Sequence, residues 1–211
     1  MRLVVGSEVS TEFRQAELDR HLEAMSRFVE HAGTQDGTAP CCTMILRSAA
    51  SAPAEALILM KDALASAGVR ARVILAKLEP QDELRQLFAS LTELAPDEPA
   101  AELIRWARNP RLLDAHEQVT YGDGVCWSGD AMRRDADKRN PLILFDTDAS
   151  DAAQFSKLAF KALWGASVTV PKRHLVPQGT AKPSGAYEQA PEDAPITALR
   201  PHLQGWPLVR H

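Results

Sequence analysis

The chain has 211 residues, 45% of them hydrophobic and 25% charged, with a formal net charge of −4. This composition excludes a mostly disordered, collagen-like or coiled-coil protein, and the length suits one compact domain with at most a minor appendage. The acidic balance argues against bulk attraction to nucleic acid or anionic lipid, so any polyanion site must be local.

No apolar run approaches the roughly 20 residues that a membrane helix requires, and Met1-Arg2-Leu3-Val4-Val5-Gly6 leads into polar sequence rather than a signal-peptide core. The expectation is a cytoplasmic protein with no membrane partner. Cys41, Cys42 and Cys126 form no C-x-x-C pair, which predicts buried free thiols rather than a disulfide framework or a zinc site. Cys126 lies in an apolar run and reads as a small hydrophobe. No metal and no cofactor are expected.

Between Thr11 and Val29, Leu18, Leu22, Met25 and Val29 recur at helical spacing and predict a helix with one face on a core. Gly33, Gly37 and Pro40 mark a loop over 31–40. Cys41 to Leu46 has strand length. Ser51 and Pro53 open a second helical pattern carrying Leu57, Met60 and Leu64, which Gly68 ends. Val69 to Ala76 follows as a strand, completing a βαβ unit whose two strands should be parallel and covered on both faces.

Helices are then predicted over Gln81–Leu94 and Asp97–Arg108, separated by Pro96. Strands over His116–Tyr121 and Val125–Ser128 flank Gly122-Asp123-Gly124, a sequence suited to a tight hairpin turn. Leu142–Phe145 reads as a buried strand, and Asp151–Trp164 as a helix with Phe155, Leu158, Ala159 and Ala162 on one apolar face. Seven of the fourteen prolines lie between Pro171 and Pro207. The organisation expected is a domain over residues 1–165 and an irregular Pro-rich extension over 166–211 that either wraps the domain or stays mobile, wrapping being favoured because Leu203, Trp206 and Leu208 would otherwise be exposed.

The phosphate loop GxxxxGK[ST], HExxH, the GxSxG elbow and GxGxxG after a strand are all absent from the sequence. What remains is His116-Glu117-Gln118-Val119-Thr120-Tyr121-Gly122-Asp123, followed by Ser128-Gly129-Asp130-Ala131-Met132-Arg133-Arg134. On a strand, His116 and Gln118 project from the same face. Arg133, Arg134, Lys138 and Arg139 alternate with Asp135 and Asp137, the pattern of a solvated, salt-bridged surface, which disfavours nucleic-acid contact there.

This block resembles the half-site of the phospholipase D superfamily, H-x-K-x(4)-D followed by a G-S-x-N-like turn on the next strand. His116, Gln118 and Asp123 stand at the His, Lys and Asp spacings, and Gly129-Asp130-Ala131-Met132 stands one residue before the second element. Ala67-Gly68-Val69-Arg70-Ala71-Arg72-Val73-Ile74 resembles the family's "GV.vRV" strand, and Phe155 to Trp164 its closing "F…lW" helix. The resemblance spans roughly Cys41 to Trp164. It implies an α/β fold of the phospholipase D-like sandwich type, a mixed central sheet with helices on both faces.

The resemblance also implies a chemistry: the His of one half-site attacks phosphorus while the His of a second protonates the leaving group, and the Lys holds phosphoryl oxygens. A single half-site would need a homodimer. Against retained catalysis, Gln118 replaces a cation, Asp130 introduces a negative charge and Met132 replaces an amide donor. The favoured expectation is therefore a catalytically degenerate member with a polar pocket around His116, Gln118, Asp130 and Arg133, with Trp127, Ser128 and Arg134 also in its lining, that binds a ligand or a partner, a phosphate-containing ligand being one candidate. The alternative is a metal-independent phosphodiesterase or nuclease acting as a homodimer, with His116 as nucleophile and Gln118 and Asp123 beside it.

Overall fold

The computed structural model describes residues 6–32, 39–133, 144–146 and 150–176. All of them fall within the compact unit Met1–Gln178. In chain order the elements are α1 (Gly6–Ala32), β1 (Cys41–Leu46), α2 (Ala52–Leu59), α3 (Lys61–Ser66), β2 (Arg70–Leu75), α4 (Gln81–Leu94), α5 (Ala100–Leu103), β3 (Ile104–Trp106), β4 (His116–Tyr121), β5 (Val125–Ala131), β6 (Leu144–Asp146), α6 (Ser150–Ala166), β7 (Val168–Thr169) and α7 (Lys172–Leu175). A single 3₁₀ turn, Pro110–Asp114, precedes β4.

The fold is α/β, built on a mixed seven-stranded sheet in the order β6-β5-β4-β1-β2-β3-β7. β1, β2 and β3 are mutually parallel neighbours, whereas β4, β5 and β6 continue the sheet antiparallel from β1, and β7 closes the far edge antiparallel to β3. Strand alternation divides the buried side chains between two layers. Met44, Leu46, Val73, Leu75, Val119 and Trp127 join the core that includes Leu18 and Met25 of α1, Leu57 of α2 and Leu84, Leu87 and Leu91 of α4. Ile45, Ile74, Ala76, Ala107 and Met132 point the other way, against Phe160 of α6.

The predicted βαβ unit is present, with Gly68 at φ +64 ending α3 and Cys41–Leu46 registered on Arg70–Leu75. A left-handed residue at this stop is what a glycine accepts without steric cost. The single helix expected after Ser51 is two, interrupted at Met60, whose φ of −100 and ψ of 9 leave the helical range.

Three expectations are corrected. The helix predicted over Asp97–Arg108 is one turn, Ala100–Leu103, after which Ile104–Trp106 becomes a strand beside β2. The apolar residues there were read at helical spacing, but pairing with β2 buries Ile104 completely and outweighs local preference. The α6 face carrying Phe155 and Leu158 is turned outward, 72% and 64% exposed, and Ala153, Ser156 and Phe160 make the buried face. The boundary at residue 165 falls short, since β7 and α7 lie beyond it and extend the sheet and its α4 layer. The rest of the predicted extension, the loop residues 33–38 and the strand residues Leu142 and Ile143 lie outside the described residues.

Among the described residues, no helix is long and apolar enough to cross a membrane. Cys42 and Cys126 are buried and Cys41 half-buried, all three as free thiols. Burial pushes the thiols of Cys41 and Cys42 up, the second well above its ordinary value.

Candidate functional site

β1 is the strand at which the sheet changes from parallel to antiparallel pairing. The register Ile45↔Gln118 places the start of β4 beside the carboxyl end of β1. In open α/β sheets the crevice beyond the carboxyl ends, at such a switch in strand order, is where ligands bind. The loops after β1, β2 and β3, the first residue of β4 and the last residues of β5 all meet at this edge.

His116 opens β4 and its side chain is exposed. Gln118 pairs with Ser128 and His116 with Ala131, so Glu117 alone faces both Gly129 and Asp130, a bulge in β5. Only glycine fits in it: a Cβ on Gly129 would lie 2.6 Å from Cη2 of Trp127 and 3.2 Å from Cβ of Glu117. The bulge presents the Gly129 carbonyl to the imidazole, with His116 Nδ1 2.9 Å from that oxygen. A carbonyl only accepts, so Nδ1 carries the hydrogen and Nε2 of the neutral ring keeps its lone pair. Such a ring can take a proton, attack an electrophile or, once protonated, hold an anion.

Directly after His116 the chain turns a carboxylate inward. Glu117 is fully buried, and its Oε1 accepts from the Arg47 backbone N–H at 3.0 Å and from Ser51 Oγ at 3.1 Å. The Arg47 guanidinium lies 3.4 Å from Oε2, and its Nη2 also donates to the Ala131 carbonyl at 3.2 Å. Ser51 is the N-cap residue of α2, so the negative charge it holds lies near the positive end of that helix. Burying either charge alone would be costly, and their pairing with several donors offsets this.

The remaining predicted site residues are distributed less favourably. Gln118 shares the His116 face, but its Nε2 donates to Ser156 Oγ at 2.6 Å beneath α6, where Cys126 Sγ lies 2.9 Å from the same hydroxyl. Asp123 sits in the turn at the other end of β4, paired with Lys157; at about 3.3 Å per residue the two ends are roughly 20 Å apart. Gly122 in this turn has φ +62, with Phe28 packed against it. Trp127 is fully buried, edge-on to His21 at 4.8 Å, and presents no surface to a ligand.

Ser128 is half-buried within β5. The Asp130 carboxylate accepts from the Ala131 N–H at 2.7 Å. Arg133 is exposed and ion-paired with Asp114 at 2.9 Å. Met132 belongs to the smaller core. Arg134 and the charged run after it lie outside the described residues. The structure thus gathers His116, Asp130 and Arg133 at one edge, buries Trp127, holds a half-buried Gln118 under α6 and leaves Asp123 at the opposite end.

Two residues of this edge were not singled out in the sequence, Arg47 and Glu117. The signal for Glu117 was present: alternation puts it on the core face with Val119 and Tyr121, where a carboxylate requires a partner. Arg47 carries no such signal, because its partner is 70 residues away.

No family model, no curated protein and no solved structure matches the chain. The functional reading rests on this edge. Among the described residues no group of three or more His, Cys, Asp or Glu side chains is placed to hold a metal ion.

Proposed function

We propose that the chain is a phospholipase D-like half that has kept its scaffold and binds an anionic, phosphate-bearing ligand at the His116 edge without cleaving it. The order of its elements supports the family reading: a parallel crossover, then a hairpin carrying His116, Gln118 and Asp123, then the closing helix α6. The observation that carries the loss of catalysis is the hydrogen bond from Gln118 to Ser156. Where the resemblance calls for a lysine ammonium directed at phosphoryl oxygens, a neutral amide is held under a helix. An electrostatic donor of that kind is worth about 3 kcal/mol in the transition state, some two orders of magnitude in rate.

The test is an imidazole-resolved NMR titration with inorganic phosphate, combined with incubation with bis-p-nitrophenyl phosphate in EDTA. The expected result is a saturable shift of the His116 ring signals and no nitrophenolate release. A ring that does not respond to phosphate overturns the proposal.

A second reading follows from the His116 Nδ1–H bond to Gly129, which leaves Nε2 free to act as a nucleophile. In a homodimer, Nε2 of one protomer would form a bond to phosphorus as the P–O bond to the leaving group breaks. The partner's protonated His116 would supply the leaving oxygen with its proton, and water would then cleave the P–N bond. Nitrophenolate release that disappears in His116→Ala would establish this reading and displace the first.

A further inference from the structure

We infer that Arg47 and Glu117 are positioning residues for the His116 imidazole, acting through the β5 bulge. This inference rests on the reading of His116 as the ligand-facing ring. The geometry behind it is a clamp across three strand ends. Arg47 follows β1 directly, its guanidinium pairs with Glu117 on β4, and its Nη2 reaches the carbonyl of Ala131 on β5.

Both of those partners adjoin the imidazole. Glu117 is its chain neighbour and Ala131 its cross-strand partner, and between Ala131 and the regular pairing at Ser128 lie Gly129 and Asp130. One cation therefore anchors the β4 backbone next to the ring and the far side of the bulge whose carbonyl holds that ring. The backbone bond from Arg47 N–H to Glu117 and the bond from Ser51 fix the carboxylate from the β1 side, so the clamp is tied to the rigid centre of the sheet. The Arg47 side chain is 8% exposed and that of Glu117 is wholly buried, so neither is available to meet a ligand itself. Their action on the site is the orientation of the ring: Nδ1 toward the Gly129 carbonyl, Nε2 outward. Both side-chain contacts of Arg47 leave from one nitrogen, Nη2, whose two hydrogens are fixed in the guanidinium plane, so the carboxylate and the carbonyl are addressed in a set geometry that a lysine ammonium on a flexible stem does not impose.

The experiment reads the tautomer of His116 by long-range ¹H–¹⁵N correlation of the imidazole rings, with His116→Ala identifying the signals. The wild-type chain should show the Nδ1–H form. Arg47→Lys keeps the charge opposite Glu117 but replaces the planar Nη2 with an ammonium on a flexible stem, and should let the ring average between tautomers while far-UV circular dichroism stays unchanged. The double variant Arg47→Met, Glu117→Leu removes both charges together, avoids a stranded buried ion and should show the same averaging. Retention of the Nδ1–H form in either folded variant overturns the inference. This readout needs no ligand, so it is separate from phosphate binding. A ring that ignores phosphate but loses its tautomer in Arg47→Lys refutes the proposed function and sustains the positioning role, and the converse pattern does the reverse.

Discussion

The indole of Trp127 occupies the space that a side chain at position 129 would need, with Cη2 2.6 Å and Cζ2 2.9 Å from where the Cβ would stand. Because Trp127 is fully buried, the ring has nowhere to retreat. Gly129→Ala should therefore cost about 1–3 kcal/mol through overpacking and should shift the carbonyl that holds His116. Urea unfolding measures the first effect and the histidine tautomer the second. An unchanged midpoint together with an unchanged ring would refute both.

Removing one member of the buried ion pair should be worse than removing both. Glu117→Leu alone strands the Arg47 guanidinium and is expected to lose about 3–5 kcal/mol, whereas Arg47→Met with Glu117→Leu should lose much less. Arg47→Met, Glu117→Leu and the double variant form a thermodynamic cycle with the wild type, and a purely additive result would deny that the charges compensate each other.

His21 makes stability depend on pH. Its ring is fully buried, with Nδ1 2.7 Å from the Tyr121 hydroxyl, and burial lowers its pKa from 6.5 to about 3. Between those values the unfolded chain binds a proton that the folded ring refuses. This contribution to stability is complete above pH 6.5 and declines as the pH falls toward 3, at a limiting slope of about 1.4 kcal/mol per pH unit. His21→Gln should flatten the decline of the urea midpoint over that window. An equally steep decline in the variant would assign it to other groups.

The reversed face of α6 can be checked with two substitutions on one helix. Phe155→Ser alters a side chain 72% exposed and should change stability by about 0.5 kcal/mol or less. Phe160→Ala empties part of the smaller core and should cost about 3–5 kcal/mol. The opposite ranking of thermal midpoints would restore the face expected from the sequence.

A thiol-specific reagent at neutral pH should label Cys41 slowly and Cys42 scarcely at all in the folded chain, and all three cysteines in denaturant. Rapid native labelling of Cys42 would contradict its place in the core.

Much of the parallel half of the fold was legible in the sequence. Cys41–Leu46 is an apolar run of strand length, Val69–Ala76 alternates before running apolar, and Gly68 sits where a helix must stop. The misreadings have physical causes. Ile104–Trp106 is three residues long and pairs only because β2 is already there. On α6, the apolar stripe through Phe155 and Leu158 and the small residues facing the sheet compete for the same helix, and Gln118 and Cys126 select the face that offers them Ser156. At the candidate site, the exposed position of His116 could be anticipated from its place at the start of a strand. The bulge could not, since it is a register shift between two strands whose one glycine meets the indole only in the folded sheet. Nor could the clamp on Glu117, which joins residues far apart in the chain.

The sheet closes at β7 with only two residues, and the backbone there soon meets Pro171, which has no N–H to donate. So short a border gives an incoming strand almost no ladder to extend. Self-association by edge-to-edge augmentation on that side is thereby discouraged, and two copies meeting there would have to pair through side-chain surfaces instead.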